Sequence, residues 1–523
     1  MRHFMVNNTC NVFFEDDIVK NFDLFLLFKN IIHNIKNEEE LMDWITNYST
    51  YNKHEINTRC AILYSLSENI NNLHNIMHID IMRKDLKVSL VKLSRENRTL
   101  IVYMNILNAL KTYKETVDMM LNVFSREDIK ETYALYQEIL KEKASDTYKL
   151  SMKCLNDCPD ICNKLTNVTL GINMTEYGSA GQIALVAINE NSKELSKGVF
   201  NGPSGHTNSL FNDVTVKLRS EIVHIENYII DKVENNMSKS LRTAMKEINK
   251  IELANLERWC DWLKHLDWFI AGLSFMKILR ENMHIFTVAS FSESEINISD
   301  MQYPHLTILN KNPVPQTFNL LNGEVAIITG ANSSGKTSFL KSFAQNIILA
   351  QLGFPVLAKK FMFRPFRQFT SLFATGEEKS FSASRYQQEA QKLSSIERIT
   401  DSDTLCLFNE PFTSTNPKEA SELISDILLK IKEKNSTQIL VTHLYDIYDN
   451  ISSSCDYITS YVMHSELNLN GITYAFTLQK KQPDRIGYAR MLTKQYGLEV
   501  NQLLNDAQII DKINNFLHKE EDI

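Results

Sequence analysis

Glycine and proline are scarce, with 15 and 10 residues in a chain of 523. An all-β protein needs many tight turns, so this scarcity excludes that class and favours long helices, whose interiors accept neither residue. Positive charge is not in excess either. Lys and Arg number 56 against 63 Asp and Glu, a formal net charge of −7, so a nucleic-acid coat protein is excluded and any polyanion site must be local. No stretch reaches the roughly 18 uninterrupted apolar residues of a membrane span, because Asp23 and Lys29 break the densest N-terminal run. The first residues also lack the roughly 7–15-residue apolar core of a signal peptide. A cytoplasmic chain with no membrane contact is expected, and its eight Cys are expected as free thiols. Cys154, Cys158 and Cys162 could offer ligands to a metal from one helix face, but Pro159 interrupts that helix and no fourth ligand is evident.

What is present is ordinary globular material, 43% apolar and 23% charged, long enough for about three domains. Apolar residues at three- and four-residue spacing, such as Leu41, Trp44 and Ile45 or Ile106, Leu110 and Tyr113, predict a helical core over 1–165. Residues 166–211 turn to β-rich runs at 168–172 and 183–188 and then a Gly/Ser/Pro-bearing loop, a small insertion. Helical periodicity returns without proline over 212–283, which suits long lever helices packed on the core. From 284 to 480 short strand-like runs, among them 284–289 and 305–309, lead into alternating strands and helices, the pattern of an α/β domain with a mostly parallel sheet. A hairpin about Gly471 precedes short helices over 481–523.

Chemistry concentrates in that α/β region. Gly330-Ala331-Asn332-Ser333-Ser334-Gly335-Lys336-Thr337 matches G-x-x-x-x-G-K-[ST] between a buried-looking strand and an amphipathic helix, the setting of a P-loop. Backbone N–H groups from Gly330 to Ser338 would cradle the phosphates of ATP, Lys336 would reach the β/γ oxygens, and Thr337 would offer its hydroxyl to Mg²⁺. About seventy residues on, the strand 405–408 ends in Asn409 and Glu410. The first position normally carries Asp to hold Mg²⁺; Asn409 keeps the acceptor oxygen without the charge, so hydrolysis could be slow. Glu410 is placed to deprotonate the attacking water. A further strand delivers His443 at its C-terminal end, where open α/β sheets hold ligands, as a γ-phosphate sensor.

Together these residues resemble the MutS family of ATPases, of the DNA mismatch repair group, a branch of the ABC-type P-loop fold. The likeness extends through Tyr303-Pro304-His305, similar to the family's His-Pro element, and Thr442-His443-Leu444, similar to its Thr-His-Tyr segment. Ser384-Arg385-Tyr386-Gln387-Gln388-Glu389 resembles its signature segment, which implies that Ser384 reaches the partner subunit's ATP in a homodimer. Asp484 to Ala489 and Tyr496-Gly497-Leu498 resemble its C-terminal dimerising element, Phe14 to Ile18 with Phe22-Asp23-Leu24 its entry to the helical core, and Leu266-Asp267 with Ala271 its returning lever helix. The mismatch-recognition and connector domains would then have no room. Phe13-Phe14-Glu15 spells the mismatch-reading F-x-E but is expected in core packing.

Two basic runs, Lys84, Lys87, Arg95 and Arg98, and Lys359, Lys360, Arg364 and Arg367, are the local candidates for phosphate contact, although charged helix faces are ordinarily just solvated. Trp259 and Trp262 share one helix face and Trp268 takes the other, which favours packing over base stacking. The expectation is an ATP- and Mg²⁺-dependent, homodimeric ATPase whose lever binds or clamps nucleic acid, DNA foremost, without reading mismatches. The competing reading is a nucleotide-gated scaffold for a protein or ribonucleoprotein partner, with little hydrolysis.

Overall fold

The computed structural model describes residues 11–32, 34–93, 96–125, 130–157, 167–174, 180–189, 222–374, 385–413, 415–453, 457–468 and 471–483. Two compact units emerge, Ile70–Asp267 and a second made of Arg2–Asn69 with Trp268–Ile523. The helical core anticipated over 1–165 is thereby divided near residue 70. The reason is long-range pairing: β1 (Phe13–Phe14) adds in parallel to residues 368–369, and the helix Lys53–Ser67 buries Arg59 on the same unit. Arg59 donates to the Tyr48 carbonyl and the Glu55 carboxylate, and its guanidinium lies 5.9 Å from the centre of the Trp268 ring.

The first unit is built on two long helices, Asn71–Leu93 and Thr99–Phe124. Tyr103, Ile106, Leu110, Tyr113, Val117 and Met120 follow the three-and-four spacing that gives one helix face, and all are buried. Trp259, on the helix Leu253–Leu263, donates its indole N–H to Thr116 and stacks on Trp262 at 4.8 Å, so this pair packs as expected. The region anticipated as lever helices forms Ile222–Ile248, Leu253–Leu263 and Leu266–Glu281. Strands β2 (Asn167–Met174) and β3 (Ala180–Asn189) pair antiparallel.

In the second unit β4 (Ser290–Phe291), β5 (Glu295–Met301), β6 (Gln316–Leu321), β7 (Val325–Thr329), β8 (Lys360–Phe363), β9 (Gln368–Phe373), β10 (Thr404–Asn409), β11 (Thr437–Val441), β12 (Ile458–Asn468) and β13 (Gly471–Lys480) follow along the chain. Seven strands form the main sheet in the order β1-β9-β10-β11-β7-β12-β13, parallel except for β13. A second sheet runs β4-β8-β5-β6. β7 and β11 are buried along their whole length and β10 as far as Phe408, which is why they read as continuous apolar runs instead of alternating ones. The helix Pro417–Lys432 starts cleanly because the Asn416 side chain accepts the Lys418 N–H at 2.9 Å and proline occupies its first turn.

Two strand-like readings are corrected. Residues 284–289 make only a single bridge, Thr287 with Val356. Residues 305–308 fall in a short helix, Pro304–Ile308, with Leu309 at its C-cap, because the fixed φ and missing N–H of Pro304 suit the first helical position. No helix among the described residues is long and apolar enough to cross a membrane. Residues 484–523, most of the anticipated C-terminal helical element, lie outside the described residues.

Candidate nucleotide site

Because β11 lies between β7 and β10, the C-terminal ends of β7 and β10 open on one edge of the sheet, one strand apart. β7 runs into the loop 330–335 and then the helix Lys336–Gln351, so the loop faces a helix N-terminus with its unpaired N–H groups. The loop needs its glycines. Gly330 has φ +149°, and a Cβ there would stand 3.0 Å from the Met463 Cβ and carbonyl oxygen; Gly335 has φ +98°, and its Cβ would stand 3.2 Å from the Phe476 ring. Ser333 is also left-handed at φ 64°.

The Lys336 ammonium is buried at the centre of this loop. It donates to the carbonyls of Gly330 and Ala331, each at 3.0 Å, and lies 3.6 Å from the Glu410 carboxylate. Burial pushes its pKa below the ordinary lysine value and Glu410 partly opposes the shift. A buried cation with so little carboxylate around it favours an anion. The buried Ser334 hydroxyl has no hydrogen-bond partner among the described residues, a further donor facing no protein acceptor. Thr337 Oγ1 donates to Asn409 Oδ1 at 2.9 Å, which joins the start of the helix to the end of β10. Glu410 follows at φ 48°, its N–H held by the Val441 carbonyl at 2.8 Å, so its side chain is directed by a left-handed backbone fixed from the neighbouring strand.

A cavity of about 520 Å³ opens beside the loop. Its lining combines polar groups, Asn332 to Thr337 with Ser338 and Glu410, with apolar ones, Met301, Tyr303, Leu306, Pro313, Val314 and Phe476. A nucleoside triphosphate has the matching chemistry, charged phosphates joined to a flat apolar base. Among the described residues no group of three or more His, Cys, Asp or Glu side chains could hold a metal ion. Thr337 and Asn409 supply two neutral oxygens side by side, which suits Mg²⁺, an ion that keeps several waters and takes its remaining ligands from phosphates.

Of the residues singled out in the sequence, Lys336, Thr337, Asn409 and Glu410 come together. His443 is exposed just beyond β11 and does not line the cavity. Ser384 lies outside the described residues, as do Cys158, Cys162 and Arg95. Cys60, Cys154, Cys260 and Cys406 are buried, and burial lifts the Cys406 thiol to about 11, so it is inert. Phe13-Phe14-Glu15 forms the sheet edge: Phe14 packs on Phe369 with ring centres 5.0 Å apart, and Glu15 accepts the Ser371 N–H at 2.8 Å. Three members of the second basic run are matched by acids, Lys359 on Asp300 at 2.7 Å, Arg364 3.6 Å from Asp403 and Arg367 on Asp401; in the first, Lys84 pairs with Asp80 and Arg98 with Glu96.

Sequence reasoning missed Phe476 and Gln316. Gln316 gives its amide N–H to the Phe476 carbonyl at 2.5 Å and accepts the Leu478 N–H at 2.9 Å, and so replaces a peptide unit between β6 and β13. Phe476 itself is held at φ 52°, a conformation rare for an aromatic residue. No local signal in the sequence marks either residue, since the pair is joined across 160 positions.

Residues 326–520 match the family model of MutS domain V. The chain is 25% identical over 232 residues to MutS protein homolog 4 of Candida albicans, covering 44% of this chain and 28% of that one. It is 26% identical over 247 residues to endonuclease MutS2 of Streptococcus equi subsp. equi, covering 46% and 29%, and 31% identical over 196 residues to endonuclease MutS2 of Thermotoga neapolitana, covering 37% and 25%. In each case the match spans less than a third of the relative's length.

Proposed function

The chain belongs to the MutS family, and from that membership we propose that it is an ATPase whose nucleotide state drives a helical lever that binds or clamps nucleic acid, DNA foremost. The observation that carries this reading is the meeting of Lys336, Glu410, Thr337 and Asn409 beside a glycine-built anion cradle at one edge of a parallel sheet.

The residues divide the work. Lys336 exchanges its loop carbonyls for the β/γ oxygens of ATP, and the backbone amides of residues 331–337 with the Ser334 hydroxyl hold the remaining phosphate oxygens. Bound Mg²⁺ would neutralise charge developing between the β- and γ-phosphates. Thr337 and Asn409 would hold its shell. Glu410, freed from Lys336 as the phosphates take that ammonium, accepts a proton from the attacking water, and Met301, Val314 and Phe476 cover the base. Ser384 completes the nucleotide site of the partner subunit in a homodimer. The proposed dimer closes with ATP between its subunits through Ser384 and the C-terminal helices, and lever movement follows closure. Two of the relatives carry the name endonuclease, which supports nucleic acid as what is held.

Hydrolysis of ATP should require Mg²⁺ and disappear in Lys336→Ala. Equal turnover in that variant would overturn the assignment. Mixing Ser384→Ala with Lys336→Ala subunits tests the shared site, since one intact composite site should restore activity; no recovery would mean that each subunit works alone. A second reading, a nucleotide-gated scaffold on a protein or ribonucleoprotein partner with little hydrolysis, is favoured by Asn409, whose amide lacks the charge of the usual carboxylate. Binding to duplex DNA that falls steeply with added salt and changes with ATP supports the first reading; salt-insensitive capture of a protein supports the second.

A further inference from the structure

One wall of the cavity is held from behind. Tyr303 lines the cavity, and its hydroxyl lies 3.3 Å from the Asp23 carboxylate. The same carboxylate oxygen accepts from the Lys341 ammonium at 2.6 Å, and Lys341 stands one turn beyond Thr337 on the helix that leaves the phosphate loop. Gln345, fully buried one turn further on, accepts the His305 N–H at 3.0 Å and donates to the Phe22 carbonyl at 2.8 Å. Two successive turns of the loop helix thus fasten residues 303–305 to residues 22–23. Asp23 adopts φ 52°, a left-handed backbone that costs free energy in a non-glycine residue and persists where surroundings over-determine it. Its side chain does not cap the following helix, and its Oδ2 takes the hydrogen bonds of both Lys341 and Tyr303.

We propose that Asp23 is a positioning residue for the nucleotide base: it fixes the Tyr303 ring as the wall of the base end of the cavity and ties that wall to the phosphate-loop helix through Lys341. This rests on the ATP reading of the cavity and adds to it a residue more than 300 positions away from the loop in sequence. The physical reason is preorganisation. A tyrosine tethered through its hydroxyl cannot swing into the slot, so the ligand does not bear the cost of ordering it. A carboxylate accepting from an ammonium and a phenol makes stronger hydrogen bonds than an amide would.

The test compares ATP with inorganic tripolyphosphate as competitors of a fluorescent ATP analogue, on Asp23→Asn, Tyr303→Phe and the double variant of the full chain. Each single substitution should weaken ATP by roughly three- to tenfold and leave tripolyphosphate unchanged, because the base end alone is affected. The double variant should be no worse than the weaker single one, as residues acting as a unit are non-additive. In steady state the loss should fall on KM and spare kcat. Equal weakening of ATP and tripolyphosphate, additive losses, or no loss would each overturn the proposal. Lys336→Ala is the separate control: it should weaken both competitors, and if it weakens neither, the ATP reading itself fails.

Discussion

Thr337 Oγ1 and Asn409 Oδ1 are joined by a 2.9 Å hydrogen bond, so the hydroxyl and the acceptor that would share a Mg²⁺ shell already touch. Both groups are neutral. Asn409→Asp restores a negative charge at the same shape, and it should lower the Mg²⁺ concentration needed for half-maximal ATPase activity or raise turnover. A Mg²⁺ titration checks this; an unchanged curve would place Asn409 away from the metal.

Glu410→Gln removes the proposed base and keeps the side chain's size. Nucleotide binding should persist while single-turnover hydrolysis slows by roughly a hundredfold or more. Filter binding and quenched-flow measurement on the same preparation separate the two effects.

Gly330→Ala places a methyl group at φ +149° against Met463 backbone and side chain. A cost of about 1–3 kcal/mol is expected for the strained backbone, read as a lower urea midpoint, and ATP affinity should fall because the loop can no longer hold its shape.

Acid should weaken the second unit through His305. Burial lowers the pKa of this imidazole below the ordinary 6.5, against a smaller opposing pull from Asp23, and its Nδ1 is buried without a hydrogen-bond partner among the described residues. The native state therefore binds fewer protons than the unfolded chain as pH falls through about 6.5. The stability this contributes is present above that value and lost below it. Urea midpoints at pH 7.5 and 5.5 should differ less in His305→Gln than in the unmodified chain.

The sequence made the phosphate loop legible because its chemistry is local: eight consecutive residues, a buried strand before them and an amphipathic helix after them. Asn409 and Glu410 were readable for the same reason, at the end of an apolar run. Tyr303 to His305 stand out as a motif, but the strand-like reading of 305–309 failed, since so short a run does not separate a strand from a helical turn and Pro304 decides. Gln316 and Phe476 gave no signal, and Asp23 was readable only as a charge in an apolar run and a member of Phe22-Asp23-Leu24. Their partners lie 160 or more positions away, and contacts of that kind leave no periodicity behind. The boundary near residue 70 was hidden likewise, because residues 13–69 keep helical texture whichever unit they join.

The pairing of the N-terminal strand with the far edge of the sheet sets an order of events during synthesis. Glu15 and Ser371 are 356 positions apart, so the first strand leaves the ribosome long before the edge it covers exists. At about 5–20 residues per second the wait is roughly 20–70 s. Ile70–Asp267 is one continuous stretch and is complete well before then. Through that interval the apolar stretch containing Phe14, Phe22 and Phe28 has no sheet to settle on, which makes this nascent segment a natural client for chaperones and the point at which truncated products would aggregate.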